Sequence, residues 1–164
     1  MLKKLLLLVA AGYFLASCAA TKTEQGGDVD AASSASSSSS DGSITAGTQE
    51  DLIVNVGDRV FFEFDSSELT VDAQSTLDAQ AAWLQQYPDT NITIEGHADE
   101  RGTREYNLAL GDKRAFAVYS YLAQAGIDTN RMDYVSWGKE RPEVIGSDET
   151  AYGQNRRGVT IVSN

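Results

Sequence analysis

Asn91-Ile92-Thr93-Ile94-Glu95-Gly96-His97-Ala98-Asp99-Glu100-Arg101-Gly102-Thr103 runs directly into Arg104 to Ala125. Asn91 to Gly96 alternates polar and apolar residues, the spacing of a strand, with Ile92 and Ile94 on its inward face. His97 to Thr103 is a polar loop. Gly102 permits a tight approach of the chain there, and Thr103 has the chemistry of a helix cap. From Arg104 the period becomes helical, and the helix stops at Gly126.

The same two periods recur on either side. Upstream, Val60-Phe61-Phe62-Glu63-Phe64 reads as a strand with Val60, Phe62 and Phe64 on one face, broken by Asp65-Ser66-Ser67. Ala73, Leu77, Ala81 and Leu84 recur at three- and four-residue steps in a helix from Leu69 to Tyr87, closed by Pro88-Asp89. Downstream, Met132 to Trp137 and Gly158 to Ser163 read as strands, with a short helix over Asp148 to Arg156 between them. This order predicts a single two-layer α+β domain over residues 51–164, with its helices on one face of a four-stranded mixed sheet.

The long helix carries one residue that a core-facing stripe does not explain. Asn107, Leu110, Arg114, Val118 and Tyr121 are spaced by three, four, four and three. Leu110, Val118 and Tyr121 suit a core; Arg114 needs a partner, because an unpaired buried charge is unfavourable. Two readings are open. Arg114 snorkels at the core's edge or makes an internal salt bridge. Alternatively, Arg114 and Asp99 line a pocket at the sheet's end, Arg114 taking a carboxylate in bidentate fashion and Asp99 an ammonium.

The start of the chain has a different texture. Met1-Leu2-Lys3-Lys4 is basic, and Leu5 to Ala16 is almost wholly apolar. That stretch is shorter than the roughly 20 residues of a spanning helix, and it has the layout of a secretory signal over residues 1–17. Leu15-Ala16-Ser17-Cys18 resembles a bacterial lipobox, which implies cleavage before Cys18 and its acylation. Two or more acyl chains anchor a protein stably to a membrane without spanning it. Ala19 and Ala20 in place of aspartate favour the outer membrane. Residues 18–50 follow with a serine tract from Ala31 to Gly42. They are too poor in apolar surface to fold and read as a disordered linker, about 30 residues with a span of about 30 Å.

Composition narrows the partners. The net charge is -11, against nucleic acid as a partner. One cysteine and one histidine supply no usual zinc site and no disulfide, and no cofactor is expected. His97 reads as structural, hydrogen-bonding within its loop. Asp99 and Glu100 are adjacent and point apart, which disfavours a hydrolase dyad and predicts a chain that is not an enzyme.

Taken together, the motifs resemble a known family over residues 58 to 163. Val60-Phe61-Phe62-Glu63-Phe64-Asp65-Ser66 is similar to the first strand of the OmpA-like peptidoglycan-binding domain. Ile94-Glu95-Gly96-His97-Ala98-Asp99-Glu100-Arg101-Gly102-Thr103 resembles its signature loop, and Tyr106-Asn107, Leu110-Gly111 and Arg114-Ala115 its signature helix. Trp137-Gly138-Lys139-Glu140-Arg141-Pro142 and Asn155-Arg156-Arg157 complete the pattern. The resemblance implies a ligand, the diaminopimelate residue of the peptidoglycan stem peptide, which ends in an ammonium and a carboxylate on one carbon. Asp99 then accepts from the ammonium, Arg114 donates to the carboxylate, and Asn107 contributes its amide. Asp65, Ser66 and Thr103 line the groove, Leu110 supports the aliphatic stem, and Arg156 or Arg157 closes one side. For lipoproteins of the family it also implies a second partner, the periplasmic propeller protein TolB, and a role in drawing the outer membrane inward at division. The alternative within the family is a static wall anchor without TolB.

Overall fold

The computed structural model describes residues 44–163. The expected signal segment, Cys18 and the serine tract lie outside them. The described chain runs α1 (Gln49–Asn55), β1 (Arg59–Phe61), α2 (Val71–Gln86), β2 (Ile92–His97), α3 (Arg104–Gln124), β3 (Met132–Gly138), α4 (Glu149–Asn155) and β4 (Arg157–Val162), with one 3-10 turn at Thr129–Arg131 before β3. The strands form one sheet in the order β1-β4-β2-β3. β2 and β3 are parallel, while β4 is antiparallel to both β1 and β2. This is the mixed four-stranded α+β domain expected from the sequence.

The core forms where α2 and α3 cover one face of the sheet. Val60, Ile92 and Ile94 from the sheet meet Leu77, Ala81 and Leu84 of α2 and Ala115, Val118 and Leu122 of α3, all buried. Ala73 is buried as its spacing predicts. On α3 the buried ridge lies slightly off the expected stripe. Gly111, Ala115, Val118 and Leu122 face inward, and Leu110 and Tyr121 flank them half-buried. The cause is a close approach of helix to sheet. A Cβ placed on Gly96 of β2 would lie 1.8 Å from the carbonyl oxygen of Gly111, so only glycine fits. That approach brings the first half of α3 against the end of β2.

Two local expectations are corrected. The first strand ends at Phe61, not Phe64. Phe62 is still buried and bonds Arg156 O through its N–H, but Phe64 is 60% exposed. The chain leaves the strand because the carbonyls of Glu63 and Ser66 accept from the Arg114 side chain, while Asp65 takes a positive φ of 52°. The second correction is α1, which the sequence reading did not anticipate and which begins two residues before the expected domain boundary. Thr48 caps it, and Leu52 is fully buried. The Gln49 side chain bonds β4 twice, donating to Thr160 O at 3.2 Å and accepting from Val162 N at 2.6 Å. Asp51 accepts from Gly47 N at 2.8 Å, Asn55 Nδ2 at 2.6 Å and Trp83 Nε1 at 2.9 Å.

Candidate ligand-binding site

The site lies at the C-terminal end of β2, between the turn after β1 and the N-terminal half of α3. Thr103 starts the helix by accepting from Tyr106 N at 3.2 Å. This cap directs the next turns of α3 along the loop, so Asn107, Leu110 and Arg114 present themselves to it in succession. They enclose a pocket of about 170 Å³, enough for the tip of a ligand and not its whole body. Asp65, Asp99, Asn107, Leu110 and Arg114 line it, joined by Phe64, Arg101, Gly102 and Tyr106.

Arg114 is the pivot of the arrangement. It is fully buried, and its donors go to the backbone: Nε to Ser66 O at 2.8 Å, Nη1 to His97 O at 2.8 Å, Nη2 to Glu63 O at 3.1 Å. The Phe62 ring lies 5.3 Å away. A guanidinium has five N–H groups, so these bonds leave one on each terminal nitrogen. Burial lowers its pKa to about 10, opposed by the charge of Asp99, and the group stays cationic at neutral pH. Arg114 does not snorkel, and among the described residues it makes no salt bridge; its structural partners are main-chain carbonyls instead.

Asp99 is served by other cations. It accepts from the backbone N–H of Arg101 at 3.1 Å, and from that residue's guanidinium through Nε at 3.2 Å and Nη2 at 2.6 Å. Arg156 Nη1 lies 3.5 Å from Oδ2, the oxygen that Arg101 Nη2 also reaches. Burial works against the charge of Asp99, but the hydrogen bonds from Arg101 prevail, and its pKa falls below the ordinary carboxylate value. Of the two arginines, Arg156 is thus the one beside Asp99, held by Phe62 O at 2.9 Å and Glu149 at 2.7 Å, though it does not line the pocket itself. Arg157 pairs instead with Glu143 at 3.4 Å.

The remaining expected residues divide. The Asp65 carboxylate accepts from the Tyr106 hydroxyl. The Asn107 amide donates to Arg101 O at 2.7 Å and so holds the loop closed. Ser66 is outside the pocket: its carbonyl serves Arg114, and its hydroxyl accepts from Glu68 N at 3.0 Å. Thr103 is outside as well, its hydroxyl committed to the cap. His97 does not hydrogen-bond its loop through the ring. The ring is buried with Nε2 3.4 Å from Glu95 in poor alignment, and neither nitrogen has a well-formed partner. Burial, then the charge of Arg157, lowers its pKa to about 4.

Sequence reasoning missed Phe64, Arg101 and Tyr106 as pocket residues. Tyr106 stands one helical turn before Leu110, a readable signal. Arg101 lies two residues beyond Asp99, within reach. Phe64 was hidden by the strand pattern that the turn breaks. Among the described residues, no group of three or more His, Cys, Asp or Glu is arranged to hold a metal ion, and no helix is long and apolar enough to cross a membrane.

A two-layer domain with a charged pocket where β2 gives way to α3 is the fold class to which the comparisons point, since the OmpA family model matches residues 61–156. The chain belongs to the OmpA family, and within it to the peptidoglycan-associated lipoproteins. It is 57% identical over 122 residues to the peptidoglycan-associated lipoprotein of Brucella melitensis, covering 74% of this chain and 73% of that one. It is 56% identical over 121 residues to that of Rhizobium meliloti, covering 74% and 69%. The crystal structure of the peptidoglycan-associated lipoprotein from Burkholderia pseudomallei superposes with a TM-score of 0.63 at 43% identity, over 65% of this chain and 90% of that one. The C-terminal domain of Helicobacter pylori MotB, at 23% identity and a TM-score of 0.61 over 65% and 84%, shares the fold. Membership in this family makes the chain a structural protein and not an enzyme.

Proposed function

We propose that the chain is an outer-membrane lipoprotein whose folded domain holds peptidoglycan without a covalent bond, by the diaminopimelate end of the stem peptide. The observation that carries this reading is Arg114, fully buried, anchored to three carbonyls, with two N–H groups left over beside a pocket walled by Asp99. A guanidinium fixed this way meets a carboxylate with little further ordering, and two parallel bonds select a planar anion. Asp99 supplies the opposite charge for the ammonium, and Leu110 an apolar wall for the stem between. A ligand that brings both charges on one carbon suits a pocket that takes only a tip. The names of the relatives, peptidoglycan-associated lipoproteins, support the same ligand class. The acidic net charge does not oppose it, because recognition of a zwitterion is local. Acylation at Cys18 supplies the other attachment, to the outer membrane.

The test is co-sedimentation of the acylated chain with isolated sacculi, with and without free diaminopimelate. Binding that diaminopimelate competes away, and that Asp99→Asn weakens, is the expected result. Sedimentation of Asp99→Asn equal to wild type would sink the site. We include TolB as a second partner on the family resemblance. A chain that retains sacculi but captures no purified TolB is the static anchor instead.

A further inference from the structure

The acceptor that this reading gives to the ligand's ammonium is already occupied from within. Arg101 meets Asp99 with Nη2 at 2.6 Å from Oδ2 and Nε at 3.2 Å from Oδ1, the two-point fork of a guanidinium on a carboxylate. Its guanidinium carbon lies 4.2 Å from the ring centre of Phe64 and 4.2 Å from that of Tyr152. Its Nη1 is 3.5 Å from Glu149. The two partners differ in freedom: 35% of the Arg101 side chain is exposed, against 6% of the Asp99 side chain. Arg156, the other cation beside Asp99, is buried and tied to a backbone carbonyl, so it does not leave. Arg101 has both a flexible stem and somewhere else to go. Two aromatic faces remain with it when Asp99 is taken, as does the second oxygen of Glu149, whose first is held by Arg156 Nη1 at 2.7 Å.

We propose that Arg101 is a gate, an internal cation that occupies the ammonium subsite until a ligand anchored on Arg114 displaces it. The inference rests on the reading of the pocket as a zwitterion site. An ammonium arriving alone exchanges one cation for another on Asp99 and gains little. A ligand that also places a carboxylate on Arg114 gains that interaction in full. The gate thus sets a threshold for any ammonium at Asp99, which the added contact to Arg114 clears and a simple amine or lysine side chain does not. It also lowers the apparent affinity of the correct ligand by the fraction of time the gate is open.

The experiment uses the intact chain and its Arg101→Gln variant, with calorimetric titration of three muropeptides. The first carries meso-diaminopimelate, the second lacks the distal amine, and the third ends in lysine. Arg101→Gln is expected to bind the first and third about threefold to fivefold more tightly than wild type, the scale of one partly exposed ion pair. The second should be unchanged, because it leaves Asp99 untouched. Weaker binding of the diaminopimelate peptide by the variant, or an equal change for all three, overturns the gate and leaves the zwitterion reading standing. Failure of wild type to bind any of them overturns both. A second measurement needs no variant. The Arg101 Nε–H resonance of wild type should shift and exchange faster when the first peptide is added and stay put with the second, and a resonance indifferent to both refutes the gate.

Discussion

Asp51 and Asp99 are two carboxylates with nearly the same burial and different partners. Asp51 is 7% exposed and Asp99 5% exposed, and both are held below the ordinary carboxylate pKa. For Asp51 the lowering comes from the Gly47 N–H, then the Trp83 indole and the Asn55 amide, all neutral and all part of the fold. For Asp99 burial opposes the charge, and a guanidinium with an exposed stem overcomes it. Burial and a shifted pKa therefore do not mark a binding group. On the proposed reading, what separates the two is whether the donors can be exchanged: those of Asp51 belong to the fold, whereas the Arg101 guanidinium yields Asp99 to a ligand.

This contrast can be broken in four ways, taken in decreasing order of effect on stability. Arg114→Ala removes the guanidinium donor from the carbonyls of Ser66 and His97 and leaves Glu63 O only the Ser66 N–H, and it should reduce the unfolding free energy by about 3 kcal/mol or more as well as abolish sacculus binding. Urea unfolding and co-sedimentation read the two losses. A variant as stable as wild type would show that the pivot is not structural. Next is acid. His97, the chain's single histidine, has a folded pKa near 4 against an ordinary 6.5, so the unfolded state binds its proton first. Stability is then complete above pH 6.5 and falls as the pH drops toward 4, by at most about 3 kcal/mol. The two aspartates, with lowered pKa values, hold their contribution until the pH is below about 4. Denaturant titrations between pH 7 and 4 check this, and a flat profile would refute it.

Trp83→Phe removes a donor from Asp51 and should lower stability by about 2 kcal/mol, with sacculus binding at the wild-type level for whatever fraction is folded. A binding defect in the folded variant would blur the distinction between the two carboxylates. Asp99→Asn is the smallest in stability and the reverse in kind. The amide keeps a hydrogen bond to the Arg101 backbone, so the melting temperature should move by only a few degrees. Affinity for the diaminopimelate peptide should fall at least about tenfold, as for loss of a charge-assisted bond. Melting curves and calorimetry on the same sample decide it.

The sequence made the long elements legible because each carries many turns or alternations of one period. Ala73, Leu77, Ala81 and Leu84 report the face of α2, and Ile92 and Ile94 that of β2. It also singled out Arg114, because a charge at a core spacing has few explanations. What it could not show arises from tertiary bonds. The partner of Arg114 is three main-chain carbonyls, which leave no trace in side-chain identity. Their demand curls the chain at Asp65 and turns Phe64 out of an apparently continuous strand. Ser66 and Thr103 were placed in the groove by resemblance, but each is spent locally, one on Glu68 and one on its cap. α1 has seven residues, too short for a periodic signal, and is fixed by contacts to β4 and α2 far along the chain.

That short helix has a mechanical meaning if the chain is anchored at Cys18 and grips the wall at Asp99. Tension would enter the domain at Gly47 to Gln49. The two bonds of the Gln49 amide carry it to Thr160 and Val162 on β4, an inner strand, and from there it crosses to β2, whose far end leads to Asp99. The edge strand β1 is spared the first pull. Peeling a domain begins at a free edge, where bonds fail one at a time. A load delivered to the middle of the sheet is shared among the hydrogen bonds between β4 and β2, so the strap should fail at one of its grips before the domain tears.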